Sequence, residues 1–220
     1  MPKPFQTITT NYDAKSVEPI GRLDSLKVYY LGYYHPKGSG LQDAVDTVRI
    51  LDLKNNHPSG VEYYARKMQA ALGTDVRGAK LVAMPSSNAG SAPVARELRK
   101  MFQKLDGAVD LSECLVRHTA IDPQHKMKGI QRTAKRHLES MRAEKVDRLR
   151  DLDILLVDDV VTSGSTMKAG WTILKQAGAR SVTCLALGKT SRIADLPTRP
   201  NPLPTRPNPP KIRPQLRGGL

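Results

Sequence analysis

Apolar positions in this chain of 220 residues come in short runs separated by polar punctuation. The clearest run is 154–157, Ile-Leu-Leu-Val, entered from Asp153. Its unbroken apolar character predicts a strand buried on both faces, because a half-exposed strand would alternate. Two acids and then a series of small residues follow: Asp158, Asp159, Val160, Val161, Thr162, Ser163, Gly164, Ser165 and Thr166. A helical period occupies 166–177, and Gly178 suits the left-handed residue that ends a helix. A further buried strand is expected over 181–187. The same order of strand, small polar turn and helix is expected upstream: 79–84 is apolar, Pro85, Ser86, Ser87, Asn88, Ala89 and Gly90 break the run, and a helix begins near 91 or 92 and reaches 105.

The remaining patterns are shorter. Residues 25–34, rich in tyrosine and β-branched or bulky side chains, predict a strand. Its Tyr33 and Tyr34 suit either edge packing or stacking on a flat base. Ser59 and Glu62 have the spacing of a capping box behind Pro58, with a helix to Gly73. A strand is expected at 114–117 and a basic helix over 132–146. Strands alternating with helices predict an α/β domain, with a mostly parallel central sheet, helices on both faces and ligands at the carboxyl ends of the strands. That domain is assigned to 25–194, behind an irregular arm at 1–24. It is followed by a tail at 195–220 in which Thr-Arg-Pro-Asn-Pro occurs twice, an extended Pro-rich pattern that cannot build a core.

Charge adds a second signal. The net charge of +14 favours polyanionic partners or several phosphates in one site. Between 117 and 150, ten Lys or Arg face four Asp or Glu, and from 197 onward five cations face no acid, so nucleic acid is a candidate partner of the basic surface and tail. Neither a membrane span nor a signal peptide is expected, which makes the cytoplasm the expected location. Cys114 and Cys184 lie in apolar surroundings and read as small core residues. His118, His125 and His137 lack the spacing of a metal-ligand set.

The chemistry of 158–166 is more specific. Amide groups at a helix start bind anions, and Ser and Thr hydroxyls add donors at little steric cost. Carboxylates repel a phosphate unless sugar hydroxyls or a metal intervene. A sugar phosphate satisfies both halves, with hydroxyls at Asp158 and Asp159 and the phosphate at Thr162, Ser163, Gly164, Ser165 and Thr166.

These nine residues resemble the phosphoribosyl pyrophosphate (PRPP) signature of the type I phosphoribosyltransferases, with wording nearest to the ComF-like branch. The resemblance implies the type I fold with a small variable hood. It implies transfer of phosphoribose from PRPP, with Mg²⁺, to a nitrogen acceptor such as a nucleobase, and release of pyrophosphate. Asp158 and Asp159 would then hold the ribose hydroxyls, directly or through Mg²⁺ bound mainly by PRPP. Pro85, Ser86, Ser87 and Asn88 would hold the pyrophosphate. Lys126, Lys128 and Arg132, with Lys135 and Arg136 behind them, would neutralise it from a loop that closes over the donor. A homodimer is compatible with this reading. Hypoxanthine-type members carry an aspartate where this chain has Thr162, which weakens the case for a 6-oxopurine acceptor. The cysteine-rich zinc segment usual in ComF proteins has no counterpart here. The superfamily also includes RNA-binding regulators and effectors of bacterial defence systems. The alternative expectation is therefore a regulatory or effector protein acting with nucleic acid or in a defence ribonucleoprotein.

Overall fold

The computed structural model describes residues 26–87, 93–121 and 134–191. The arm at 1–24, Asn88, the loop residues Lys126, Lys128 and Arg132, and the tail at 195–220 lie outside the described residues. The described elements are, in chain order, β1 (Val28–Tyr30), β2 (Tyr33–Tyr34), α1 (Val45–Lys54), α2 (Pro58–Leu72), β3 (Lys80–Ala83), α3 (Pro93–Phe102), β4 (Val109–Asp110), β5 (Leu115–Arg117), α4 (Ala134–Ser140), β6 (Met141–Ala143), β7 (Asp153–Val161), α5 (Ser165–Gln176) and β8 (Ser181–Thr190).

The central sheet has the order β1-β8-β7-β3-β4, with β2 also paired to β8, and every pairing in it is parallel. The continuous apolar run of β7 explains its place in the middle. Ile154 and Leu156 join one apolar cluster with Met167, Ile173 and Leu174 of α5, whereas Leu155 and Val157 join the other with residues of α1, α2 and α3. Each strand residue thus finds a helix whichever way the pleat points it, which is the α/β architecture expected. Cys114 and Cys184 are buried and free, and burial raises both thiols above their ordinary range. Among the described residues no helix is long and apolar enough to cross a membrane.

Several boundaries differ from expectation. The strand expected over 25–34 divides into β1 and β2 at Leu31 and Gly32, and Gly32 lies against the Asp46 carboxyl so closely that a Cβ there would stand 2.0 Å from its oxygen. Asp46 also accepts from Tyr63 Oη at 2.9 Å and pairs with Lys67 Nζ at 2.6 Å, joining the tyrosine edge to α1 and α2. The capping box does not form. Pro58 takes the first helical turn and His57 is the cap, its ring accepting from the Ser59 amide. Ser59 Oγ donates instead to Asp52 at 2.6 Å, and Glu62 pairs with Lys104 at 2.6 Å. The basic helix expected over 132–146 stops at Ser140, and the chain continues as β6, antiparallel to β5. This hairpin stands apart from the central sheet.

Candidate active site

The strand that carries the acids is longer than its apolar core. β7 runs through Asp158, Asp159, Val160 and Val161, in register with β8 from Asp153↔Ser181 to Val161↔Lys189. The two carboxylates therefore belong to the strand, whereas the sequence pattern places them after it. Asp158 Oδ1 accepts from the Asp159 amide at 2.9 Å. Burial, then the neighbouring Asp159, push the Asp158 carboxyl well above the usual carboxylate range.

Asp159 has a cation of its own. Lys54 Nζ, at the end of α1, lies 2.9 Å from Asp159 Oδ2 and over the Tyr34 ring at 5.4 Å from its centroid. Burial alone would lower the lysine pKa, but the attraction of Asp159 outweighs it and the net direction is upward. Nothing in the local sequence marks Lys54, because its partner lies on a strand more than a hundred residues later.

After Val161 the chain turns sharply. Gly164 has φ 75° and precedes the first turn of α5, a left-handed conformation that a side chain at this position would strain. The turn packs its hydroxyls together, with Ser163 Oγ 3.0 Å from Ser165 Oγ. Asp158 and residues 160–167 line a recess of about 40 Å³, room for one small polar group. Thr162 Oγ1 is 2.7 Å from Thr190 Oγ1 at the end of β8, so the hydroxyl at this position is engaged with the neighbouring strand.

The second loop leaves the adjacent strand. β3 pairs with β7 from Lys80↔Ile154 to Ala83↔Val157, and the Met84 amide donates to Val157 O at 2.8 Å. Pro85, Ser86 and Ser87 therefore start beside Asp158, at the same carboxyl edge. The Ser86 hydroxyl is buried and makes no hydrogen bond with the described residues. An unpaired buried hydroxyl costs about 1–3 kcal/mol, which a ligand oxygen would recover. A larger cavity of about 650 Å³ lies on the far side of this loop, between α3 and β5, with Ser86, Arg96, Arg99 and Arg117 among its walls. It does not include the acids. Arg96 donates to Asn56 Oδ1 at 3.1 Å and Arg99 pairs with Asp110 at 2.7 Å.

Of the predicted site residues, Asp158, Asp159, Thr162, Ser163, Gly164, Ser165, Thr166, Pro85, Ser86 and Ser87 are thus gathered at one edge of the sheet. Lys135, expected behind the basic loop, is exposed and lies 3.9 Å from Glu139. Among the described residues no group of three acidic, histidine or cysteine side chains could hold a metal ion. Two carboxylates alone suit Mg²⁺ when substrate oxygens and waters complete its octahedron.

Residues 89–194 match the family model of the phosphoribosyl transferase domain. The match spans β7, the 162–166 turn, α5 and β8, and begins just after Pro85, Ser86 and Ser87. No match was found among curated proteins. The domain match and the parallel sheet together support the type I phosphoribosyltransferase superfamily, and with it phosphoribosyl transfer in general.

Proposed function

We propose that this protein is a phosphoribosyltransferase that takes phosphoribose from PRPP to a nitrogen acceptor of nucleobase type and releases pyrophosphate. The observation that carries the reading is the parallel pairing of β3 with β7, which starts two small polar loops side by side with a pair of acids between them. A donor with a phosphate at one end, hydroxyls in its middle and a diphosphate at the other matches that sequence of surfaces.

In this reading the 5-phosphate sits on the amides and hydroxyls of Thr162, Ser163, Gly164, Ser165 and Thr166. Asp158 and Asp159 accept from the ribose hydroxyls. Pro85, Ser86, Ser87 and Asn88 face the pyrophosphate, with Ser86 Oγ a donor for it. Lys126, Lys128 and Arg132 would approach from the basic segment. Mg²⁺, held between PRPP and the two carboxylates, would supply charge neutralisation for the departing diphosphate. The chain's own task is to hold C1 of the ribose in line with the acceptor nitrogen and the leaving oxygen, and to place donors where negative charge develops. Lys54 fixes Asp159 in orientation, whereas Asp158, with its raised pKa, gains most from a ligand that takes up its charge.

Thr162, engaged with Thr190, has no basic group to offer a purine proton, which supports an acceptor other than a 6-oxopurine. The wording of 158–166 is nearest to the ComF-like branch, but a role in DNA uptake does not follow from it. The reading is tested by calorimetric titration with PRPP in the presence of Mg²⁺. Saturable binding that is lost in Asp158→Asn, Asp159→Asn supports it; absence of binding to the unaltered protein contradicts it.

A further inference from the structure

One buried cation has no part in the reaction outlined above. Arg117 ends β5 and is 9 % exposed. Its described hydrogen bonds all go to neutral acceptors: Nε donates to Ser86 O at 2.6 Å, Nη1 to Ser140 Oγ, and Nη2 to Met141 Sδ at 3.3 Å. Burying a guanidinium against neutral groups is costly, and desolvation brings its pKa down to about 10 despite the opposing field of Asp158. Apolar side chains could close the hairpin without that cost.

The contacts continue beyond Arg117. Ser140 Oγ donates to His137 O at 2.9 Å, and His137 Nε2 lies 3.3 Å from Thr166 Oγ1. An unbroken path of polar contacts therefore joins the Ser86 carbonyl, in one loop, to Thr166, in the other. It crosses the base of the hairpin, where the His118 amide donates to Ser140 O at 3.0 Å and the basic segment departs and returns.

We propose that Arg117 is a positioning residue that couples the two loops, so that an anion in either one favours the arrangement of the other that binds its own anion. The proposal rests on the reading of these loops as the pyrophosphate and 5-phosphate subsites. Arg117 itself need not touch the donor: its Nε holds the Ser86 carbonyl while the rest of the fork holds Ser140 and Met141, which leaves the amides and hydroxyl of 86–87 to face an anion. Binding at one loop then fixes Ser140 and His137, and through them Thr166. Such coupling is reciprocal between the two ligands.

The test uses pyrophosphate and ribose 5-phosphate as separate probes, each titrated by calorimetry with Mg²⁺, alone and with the other saturating. In the unaltered protein pyrophosphate is expected to tighten ribose 5-phosphate by at least about fivefold. In Arg117→Lys, which keeps the charge and loses the fork, and in Ser140→Ala, which removes only the middle of the path, that ratio is expected to fall to about one while each probe alone still binds. Ser140→Ala carries the test if Arg117→Lys does not fold. A ratio retained in the folded variants, or a ratio of one or below in the unaltered protein, overturns the coupling while leaving the proposed function standing. If the unaltered protein binds neither probe, both fall.

Discussion

Lys54 Nζ stands 2.9 Å from Asp159 Oδ2, and this contact joins the last turn of α1 to the central strand that carries the acids. It gives the two neighbouring carboxylates different environments, one paired with a cation and the other with its charge opposed. Removal of the ammonium in Lys54→Met should leave both acids uncompensated. The expected result is a fall in kcat/KM of about tenfold to a hundredfold, or about 1.4–2.8 kcal/mol. Because the Lys54 pKa is raised in the fold, the pair's contribution to stability is present below the ordinary lysine pKa and is lost as the pH rises through the folded value. Thermal melts of the two proteins should therefore converge in strongly alkaline buffer.

Asp158→Asn should separate stability from activity. The raised pKa of Asp158 means that the folded state favours its protonated form, so its contribution is fully present below the unfolded value of 3.8 and is lost as the pH rises. A neutral isostere escapes that loss. The variant should melt a few degrees above the unaltered protein at pH 7, the gap should close towards pH 4, and transferase activity should be abolished. A variant less stable at pH 7 would show that the carboxylate pair is not strained.

His137 gives the opposite pH trend. Burial, then Arg117 and Arg136, lower its pKa to about 4, so the folded protein keeps the ring neutral where the unfolded chain would protonate it. Stability from this residue is full above about pH 6.5 and is lost as the pH falls towards 4, by on the order of 3 kcal/mol at most. The difference in stability between the unaltered protein and His137→Gln, followed from pH 7 to pH 4, isolates this contribution from that of Asp158. A difference independent of pH would contradict it.

Gly60 tests the seating of α1. A Cβ there would stand 2.4 Å from Leu53 N and 2.7 Å from Arg49 O, both backbone atoms that cannot turn aside. Gly60→Ala should push α1 from α2 at a cost of about 1–3 kcal/mol. It should also lower activity, because Lys54 is the residue after Leu53. Denaturant unfolding and the activity of the folded fraction measure the two effects separately.

Much of this arrangement could be read in the chain itself, for physical reasons. The run 154–157 has one use, a strand with helices on both sides, and the small residues at 162–166 have few uses other than a tight, donor-rich turn. Contacts made across distance were not readable. The periodicity of α1 is blurred because Val45, Val48 and Leu51 stay exposed, so the pattern there predicts no helix. The partner of β5 lies beyond a long basic segment with no strand pattern, so the hairpin and the burial of Arg117 were hidden within what reads as a solvated charge run. Hydrophobicity ends before the acids, so the pattern places them after the strand; the ladder to β8 extends further than hydrophobicity does.

The central claim is tested most directly by following pyrophosphate release from PRPP with Mg²⁺ across a panel of nucleobases and other nitrogen acceptors, with Asp158→Asn, Asp159→Asn in parallel. Release that requires one acceptor class, accompanied by a phosphoribosylated product and absent from the double variant, is the predicted result. Binding of PRPP without release in the presence of any acceptor would contradict it. That outcome would favour the regulatory alternative, in which the charge of +14 serves a nucleic acid whose binding weakens steeply with salt.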